Sequence, residues 1–203
     1  MPRIRIGVMG CASIATRYVI PAIKELEDEF ELTAVSSRAK EKAAKFADEF
    51  NCDAITGYEN LLSRNDIDMI YIPLPTGLHE EWVTKSLEAG KHVHVEKSLA
   101  MNYDSARKMV EAARKSNLVL MENFQFLYHS QHQFVKKLVS EGRIGSLRLL
   151  RASFGFPPLD KDNFRYDTTL GGGVLIDAAA YMTKVSQFWL GRNLTVEAAT
   201  LNY

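Results

Sequence analysis

The chain has 203 residues, which is enough for one large or two small domains with a substantial core. It carries 25 lysine and arginine residues against 25 aspartate and glutamate residues, so no charge excess favours nucleic acid or an anionic membrane as its partner. No apolar run is long enough to span a bilayer, and the N-terminal residues enter a strand pattern without the apolar core of a signal peptide. We therefore expect a cytoplasmic protein that acts on small molecules or makes ordinary protein contacts.

The first element runs from Ile4 to Ala15 and predicts a strand, a tight turn and the start of a helix. Its turn places Gly10, Ala12 and Ala15 in a G-x-G-x-x-G/A spacing. Small residues at these positions let backbone N–H groups and the positive end of a helix dipole approach a pyrophosphate. Such a turn is also common in any doubly wound sheet, so the turn alone leaves both interpretations open.

A helical pattern from Ile14 to Leu26 and an apolar strand from Leu32 to Ser36 follow. The end of the second strand is where dinucleotide-binding folds distinguish their two cofactors. An acidic residue there would hold the ribose 2′-OH of NAD, whereas Ser37 followed by Arg38 suits the 2′-phosphate of NADP. Ser37 could also cap the next helix, from Lys40 to Phe50. We expect NADP(H) to be the preferred cofactor, with NAD(H) as the alternative.

The next units repeat the alternation of helix and strand. After a short helix from Tyr58 to Leu62, the run from Asp68 to Leu74 predicts a buried strand that leaves through a Pro75-Thr76-Gly77 turn. His79 begins the following helix, where its ring either bonds to the backbone or takes part in a site. Alternation from Lys91 to Glu96 predicts a further strand.

Alternating strands and helices up to a last strand, Leu118 to Glu122, predict an open parallel sheet with helices on both faces. Ligands of such sheets bind at the carboxyl ends of the strands, and Arg38, Thr76 and Lys97 each follow such an end. Lys97 could reach a cofactor and substrate there, although most lysines at strand ends are merely solvated.

The segment from Phe124 to His132 is rich in aromatic residues and fits either interdomain packing or a substrate wall. His129 and His132 are three residues apart on a predicted helix, but no third ligand has suitable spacing. Cys11 and Cys52 also lack metal-ligand spacing. We expect no metal site, and two packed thiols in a reducing compartment.

The pattern changes from Ser146 onward. Leu147 to Phe156 alternates apolar and polar residues like a half-exposed antiparallel strand, and another strand is predicted from Thr195 to Tyr203. Between them, three glycines precede a helix predicted from Val174 to Leu190. These glycines allow either a close backbone approach or a flexible entry into the helix.

The ordered motifs resemble those of the Gfo/Idh/MocA oxidoreductases, and the resemblance covers the whole chain. It is carried by the turn from Gly10 to Ala15, Ser37-Arg38, Glu96-Lys97 and the run GGGVLIDAAAY from Gly171 to Tyr181. The resemblance implies an α/β fold: a Rossmann-type doubly wound parallel sheet over residues 1–122, followed by a partial α+β domain with an incomplete antiparallel sheet over residues 123–203.

The resemblance also implies hydride transfer between NAD(P) and a sugar or related polyol. The first turn and the run YIPLPTGLHEEW look most like the branch that reduces keto groups of nucleotide-linked sugars. Two alternatives stay open: a dehydrogenase of a free sugar or inositol, and a regulatory or scaffold protein that binds the cofactor without turnover.

Residue by residue, Lys97 matches the lysine of the family's Glu-Lys-Pro motif, and Asp177 and Tyr181 match the acid and the Tyr or His of GGG-x-L-x-D-x-x-x-Y/H. The implied catalytic roles are a positive charge from Lys97, a proton from Tyr181 and orientation by Asp177, with the ammonium favouring the phenolate form of Tyr181. Tyr181 could instead be a packed aromatic, and Asp177 a carboxylate at a helix start. The implied cofactor contacts are Gly10, Ala12, Ser13, Ile14, Ser37, Arg38, Thr76, His79, Glu96 and Lys97.

This sequence departs from the family pattern at three positions. Ser98 replaces the usual Pro, Thr76 the usual Asn, and Ala179 a frequent Gly. The family also continues well past Tyr203. We therefore expect either a fragment or a truncated member that pairs with another copy in a homo-oligomer.

Overall fold

The computed structural model describes residues 2–200 and contains one parallel sheet. Its strands are β1 Ile4–Met9, β2 Phe30–Ser37, β3 Asp53–Thr56, β4 Met69–Ile72, β5 His92–Glu96 and β6 Leu120–Asn123. They lie in the order β3-β2-β1-β4-β5-β6, and every neighbouring pair is parallel. The predicted doubly wound sheet is thus confirmed. Because the strand order reverses between β1 and β4, the carboxyl ends of these strands border the crevice where such sheets bind ligands.

Helices cover both faces of the sheet, and further helices follow the last strand along the chain. They are α1 Ile20–Glu25, α2 Lys40–Phe50, α3 Tyr58–Leu62, α4 His79–Glu88, α5 Tyr103–Lys115, α6 Ser130–Ser140, α7 Val174–Asp177 and α8 Ala179–Leu190. Within residues 2–200, no helix is both long and apolar enough to cross a membrane.

Alternate residues of each strand supply two cores, one on each face of the sheet. On one face, Ile70 and Val93 pack with Trp82 of α4 and Met109 of α5. On the other face, Tyr71 packs in a cluster with the β1 and β2 side chains and with α1 and α2. Parallel strands are covered on both sides in this way, so their sequences read as nearly continuous apolar runs.

The first crossover helix differs from the regular helix predicted from Ile14 to Leu26. Residues Ala15–Val19 form a π-helical turn, in which the Ile20 N–H donates to the Ala15 carbonyl, and α1 follows. Pro21 lies at the start of α1 and has no N–H to donate, so the regular ladder cannot continue through it.

In the second half of the chain, the structure contradicts two predicted strands. Leu147–Phe156 forms no strand, and the described part of the second, residues 195–200, has no regular structure either; residues 201–203 lie outside the described chain. A strand requires a neighbour for its backbone N–H and C=O groups, and residues 2–200 supply none for these segments. The predicted antiparallel sheet is therefore absent from the described residues.

Candidate functional site

In the turn after β1, the backbone lies so close to a neighbouring side chain that it leaves no room for a Cβ atom. Gly10 has a φ of +107°, and a Cβ at this position would lie 2.7 Å from the Cδ2 atom of Leu74. The Gly10 N–H donates to the Ser36 carbonyl, and the Ala12 carbonyl accepts from the Ala15 N–H at 3.0 Å. The chain thus passes from β1 through Gly10, Cys11 and Ala12 into a helical turn that begins with Ser13 and Ile14.

Ser37 and Arg38 lie beside this turn at the end of β2. The Ser37 hydroxyl accepts a hydrogen bond from the Ala39 N–H at 3.2 Å, immediately before α2. Burial raises the pKa of the Tyr58 phenol, and the neighbouring charge of Arg38 lowers it. The Tyr58 hydroxyl would lie 3.7 Å from a Cβ at Gly10. Because Arg38 lies beside Tyr58, its exposed side chain is also close to this turn. This arrangement suits a phosphate near the guanidinium group.

His79 joins two loops at the carboxyl edge of the sheet. Its ring is fully buried, with Nε2 2.8 Å from the Leu74 carbonyl and Nδ1 2.9 Å from the Ser98 carbonyl. Burial lowers the pKa of His79, and the two carbonyls partly oppose this effect. The sequence left open whether the His79 ring bonds to the backbone, and in the structure it does. These contacts hold the loop that carries Thr76 beside the end of β5.

Glu96, the last residue of β5, is held by the two neighbouring strands. Its Oε1 atom accepts hydrogen bonds from the Tyr71 hydroxyl and from the Asn123 amide, both at 2.7 Å. Tyr71 is fully buried, and burial together with the Glu96 charge raises the pKa of its phenol. These contacts fix the main chain from which Lys97 projects.

Lys97, Asp177 and Arg165 form a partly buried ion cluster. Lys97 Nζ donates to Asp177 Oδ1 at 2.6 Å and to the Asp177 main-chain oxygen at 2.8 Å, while Arg165 Nε donates to Asp177 Oδ2 at 2.8 Å. Burial raises the pKa of Asp177, but the hydrogen bond and charge of Lys97, and then Arg165, leave it below its usual value. Asp177 is therefore a carboxylate at neutral pH.

Tyr181 lies beside this cluster inside a group of aromatic rings. Lys97 Nζ is 5.1 Å from the centre of the Tyr181 ring. Phe154 stacks on Tyr181 at 5.2 Å, and Phe124 and Phe126 approach it at 5.7 and 6.3 Å. The structure thus brings Lys97, Asp177 and Tyr181 together, as the sequence predicted, and adds an aromatic surface around the phenol.

The pKa of Tyr181 moves in the direction opposite to the one predicted. Burial raises it, as do the charges of Glu96 and Asp177, whereas Arg165 lowers it. The sequence prediction assumed that the Lys97 ammonium would favour the phenolate. Lys97 instead donates to Asp177 and lies over the ring face, so its charge is largely compensated and Tyr181 keeps its proton at neutral pH.

The glycine run packs directly against the loop after β4. A Cβ at Gly171 would lie 2.7 Å from the Thr76 Cβ atom, and a Cβ at Gly77 would meet the Thr169 main-chain oxygen. At Gly172, a Cβ would lie 2.6 Å from the Arg165 carbonyl. Of the two interpretations of the glycine run, a close backbone approach therefore applies to Gly171 and Gly172.

The helix predicted from Val174 to Leu190 is interrupted, and two charged residues near it, Glu122 and Arg165, were not predicted to belong to the site. Ala178 separates α7 from α8, so Asp177 and Tyr181 belong to different helices. Glu122 accepts the Leu99 N–H at 2.8 Å, and burial raises its pKa. Neither Glu122 nor Arg165 belongs to a spacing pattern that would have identified it. In the described chain, no three His, Cys, Asp or Glu side chains group as metal ligands.

Comparison with known families gives two matches. Residues 4–124 match the model of the oxidoreductase family Gfo/Idh/MocA with its NAD-binding Rossmann fold, and residues 132–203 match the Gfo/Idh/MocA C-terminal domain. The predicted domain boundary after residue 122 stays a prediction.

Several curated and solved relatives are similar over nearly the whole chain. The dTDP-3,4-didehydro-2,6-dideoxy-alpha-D-glucose 3-reductase of Saccharopolyspora spinosa is 46% identical over 197 residues, which is 97% of this chain and 59% of the relative. The crystal structure of KijD10, a 3-ketoreductase from Actinomadura kijaniata in complex with NADP and TDP-benzene, has a TM-score of 0.90 at 42% identity and covers 94% of this chain and 58% of that one. D-xylose 1-dehydrogenase (NADP(+)) 2 of Haloferax volcanii is 33% identical over 96% of this chain and 59% of its own length. The chain thus spans about three fifths of the length of these relatives.

We expect the Tyr181 phenol to titrate above pH 10.0, because burial, Glu96 and Asp177 all raise its pKa. In Asp177→Asn the titration should move to lower pH, since one of these negative charges is removed while Lys97 and Arg165 remain. The measurement is carbon-13 NMR of protein labelled at tyrosine Cζ, with Tyr181→Phe to identify the resonance. Asp104→Asn, on exposed α5, is the matched control. A titration below pH 10.0 in the wild-type protein would contradict the assignment.

Proposed function

Because the chain belongs to the Gfo/Idh/MocA oxidoreductase family, we propose that it transfers a hydride between NADP(H) and a carbonyl of a nucleotide-linked sugar. The observation that carries the proposal is the meeting of Lys97, Asp177 and Tyr181 at the carboxyl end of β5. Similarity to dTDP-sugar 3-reductases supports a keto group on a deoxysugar as the reacting group.

The residues around the first turn fit a dinucleotide. Gly10 and Ala12 allow its pyrophosphate to approach the backbone N–H groups, and Arg38 beside Tyr58 suits a ribose 2′-phosphate. Thr76, Glu96 and Lys97 lie at the carboxyl ends of β4 and β5, where the nicotinamide half would lie. A bound NADPH would supply the hydride.

The chemistry of the chain's own residues follows from the charge that develops on the carbonyl oxygen. Lys97 would stabilise this negative charge through its ammonium group, at a place where burial strengthens the interaction. Tyr181, which keeps its proton at neutral pH, would donate that proton to the oxygen. Asp177 would hold Lys97 in place.

The aromatic rings of Phe124, Phe126 and Phe154 would form the substrate wall. They surround Tyr181, and Phe154 is half exposed, so it offers an apolar face to a deoxysugar ring next to the phenol. A dehydrogenase of a free sugar is the second candidate, and the similarity to D-xylose 1-dehydrogenase favours it. A panel of keto sugar nucleotides and free aldoses, each assayed with NADPH or NADP, separates the two.

We also propose a cytoplasmic homo-oligomer. Both cysteines are free thiols, which fits a reducing compartment. Several large apolar side chains of the second half are exposed and support self-association, namely Leu149, Phe156, Val174, Leu175 and Val196. Light scattering of the purified protein should show more than one copy per particle, and a stable monomer would contradict the oligomer.

Arg38→Asp should shift cofactor preference from NADPH towards NADH. A carboxylate repels the 2′-phosphate and can accept the ribose 2′-OH, so the ratio of the two dissociation constants should change about tenfold or more. Fluorescence titration with both cofactors measures this ratio. Lys45→Asp, which makes the same charge change on the exposed face of α2, should leave it unaltered. Equal ratios in wild type and Arg38→Asp would refute the role of Arg38.

Lys97→Met and Tyr181→Phe should each lower turnover by about a hundredfold or more, because each removes a group acting on the developing oxyanion. Cofactor affinity should stay largely unchanged in both variants. Steady-state kinetics with a keto sugar nucleotide and fluorescence titration of NADPH provide the two readouts. Tyr103→Phe, at an exposed tyrosine of α5, should behave like the wild type. Undiminished turnover in either site variant would remove that residue from the mechanism.

A further inference from the structure

Both carboxylate oxygens of Asp177 are engaged, each by a different cation. Oδ1 accepts from Lys97 and Oδ2 accepts from Arg165 Nε. The Asp177 side chain is only 15% exposed, so a rotation of the carboxylate away from either partner would leave a buried oxygen without a donor. Arg165 and Lys97 together therefore determine the orientation of the carboxylate.

Gly173 sets the distance between Arg165 and Asp177. Its N–H donates to the Arg165 carbonyl at 2.9 Å, and its carbonyl accepts the Asp177 N–H at 3.1 Å. Its φ of +105° lies in the left-handed region that favours glycine. The close packing of Gly172 against the Arg165 carbonyl fixes the same segment from the other side. Hydrogen bonds and close packing thus hold the backbone of Arg165 in place beside Asp177.

The ammonium group of Lys97 has three N–H donors, and two of them point at Asp177. In a tetrahedral ammonium the direction of the third follows from the other two. Within residues 2–200 only Asp177 accepts a hydrogen bond from Lys97, so the third N–H is available to a ligand oxygen next to the Tyr181 ring. Its direction consequently depends on where the Asp177 carboxylate lies.

We propose that Arg165 is a positioning residue, which acts through Asp177 to aim the third N–H of Lys97 at the reacting oxygen. This inference rests on the proposed function.

The test is a double-mutant cycle on Arg165 and Asp177. Arg165→Met should lower kcat by about tenfold to a hundredfold, the range for a misdirected catalytic group, with KM and cofactor affinity nearly unchanged. Arg165→Lys keeps a charged donor and should restore most of kcat. In the Asp177→Asn background, Arg165→Met should have little further effect, because its route to Lys97 is already lost. Arg107→Met, which removes a surface arginine of α5 that also forms an ion pair, is the matched control.

Thermal unfolding of each variant checks that it is folded. Should Arg165→Met not fold, Arg165→Ala takes its place, since it likewise removes the donor to Asp177 and should lower kcat in the same way. An unchanged kcat overturns the proposal. So does a rise in KM alone, which would make Arg165 a ligand contact, or an equal effect in both backgrounds, which would show that Arg165 acts without Asp177.

Failure of the proposed function would be visible separately, as a wild-type protein without turnover on the substrate panel. The double-mutant cycle on Arg165 and Asp177 is then measured by the titration of Tyr181, which needs no substrate. Four charged groups face this phenol: Glu96, Lys97, Asp177 and Arg165. Arg165→Met should raise the pH at which Tyr181 titrates, and Arg165→Lys should restore it. No change in the Met variant, or an equal change in the Asp177→Asn background, would overturn the inference.

Discussion

The carboxylate of Asp177 is the group on which the site depends, because it connects the parallel sheet to the second half of the chain. Placing a carboxylate where it is mostly shielded from water is costly, and the cost is offset only when charged donors surround it. Lys97 at the end of β5 and Arg165 before the glycine run provide those donors. The same shielding strengthens every interaction within the cluster, so the device that joins the two halves also creates the electrostatics of the site.

The sheet was predictable because its signals are local. Alternation and apolar runs located five of the six strands, and Gly10, Arg38 and Lys97 each come directly after the last residue of a strand. Parallel topology then places strand ends at one edge, so residues far apart in sequence could be expected to meet there. β3 was not located, since it is an edge strand with mostly exposed residues and carries little alternation.

What the sequence could not reveal depends on contacts between distant segments. The pairing of Arg165 with Asp177 arises from the fold of the glycine run, and no spacing rule connects two residues in that way. The acidity of Tyr181 was misjudged because the sequence places a lysine nearby but does not show that its charge is already compensated by Asp177. The predicted strand from Leu147 to Phe156 fails for a similar reason: alternation describes a side-chain pattern and cannot supply the neighbouring strand.

The contact between the loop after β4 and the glycine run has an evolutionary consequence. A side chain at Gly77 or Gly171 would collide with the opposite loop, so neither position can change unless the other loop moves as well. Recombination between two family members at any point between residues 77 and 171 joins loops from different parents. Such a hybrid keeps this packing only if each parent has glycine at the position that it supplies and the two loops still fit each other, so the two loops should be inherited and redesigned as one unit.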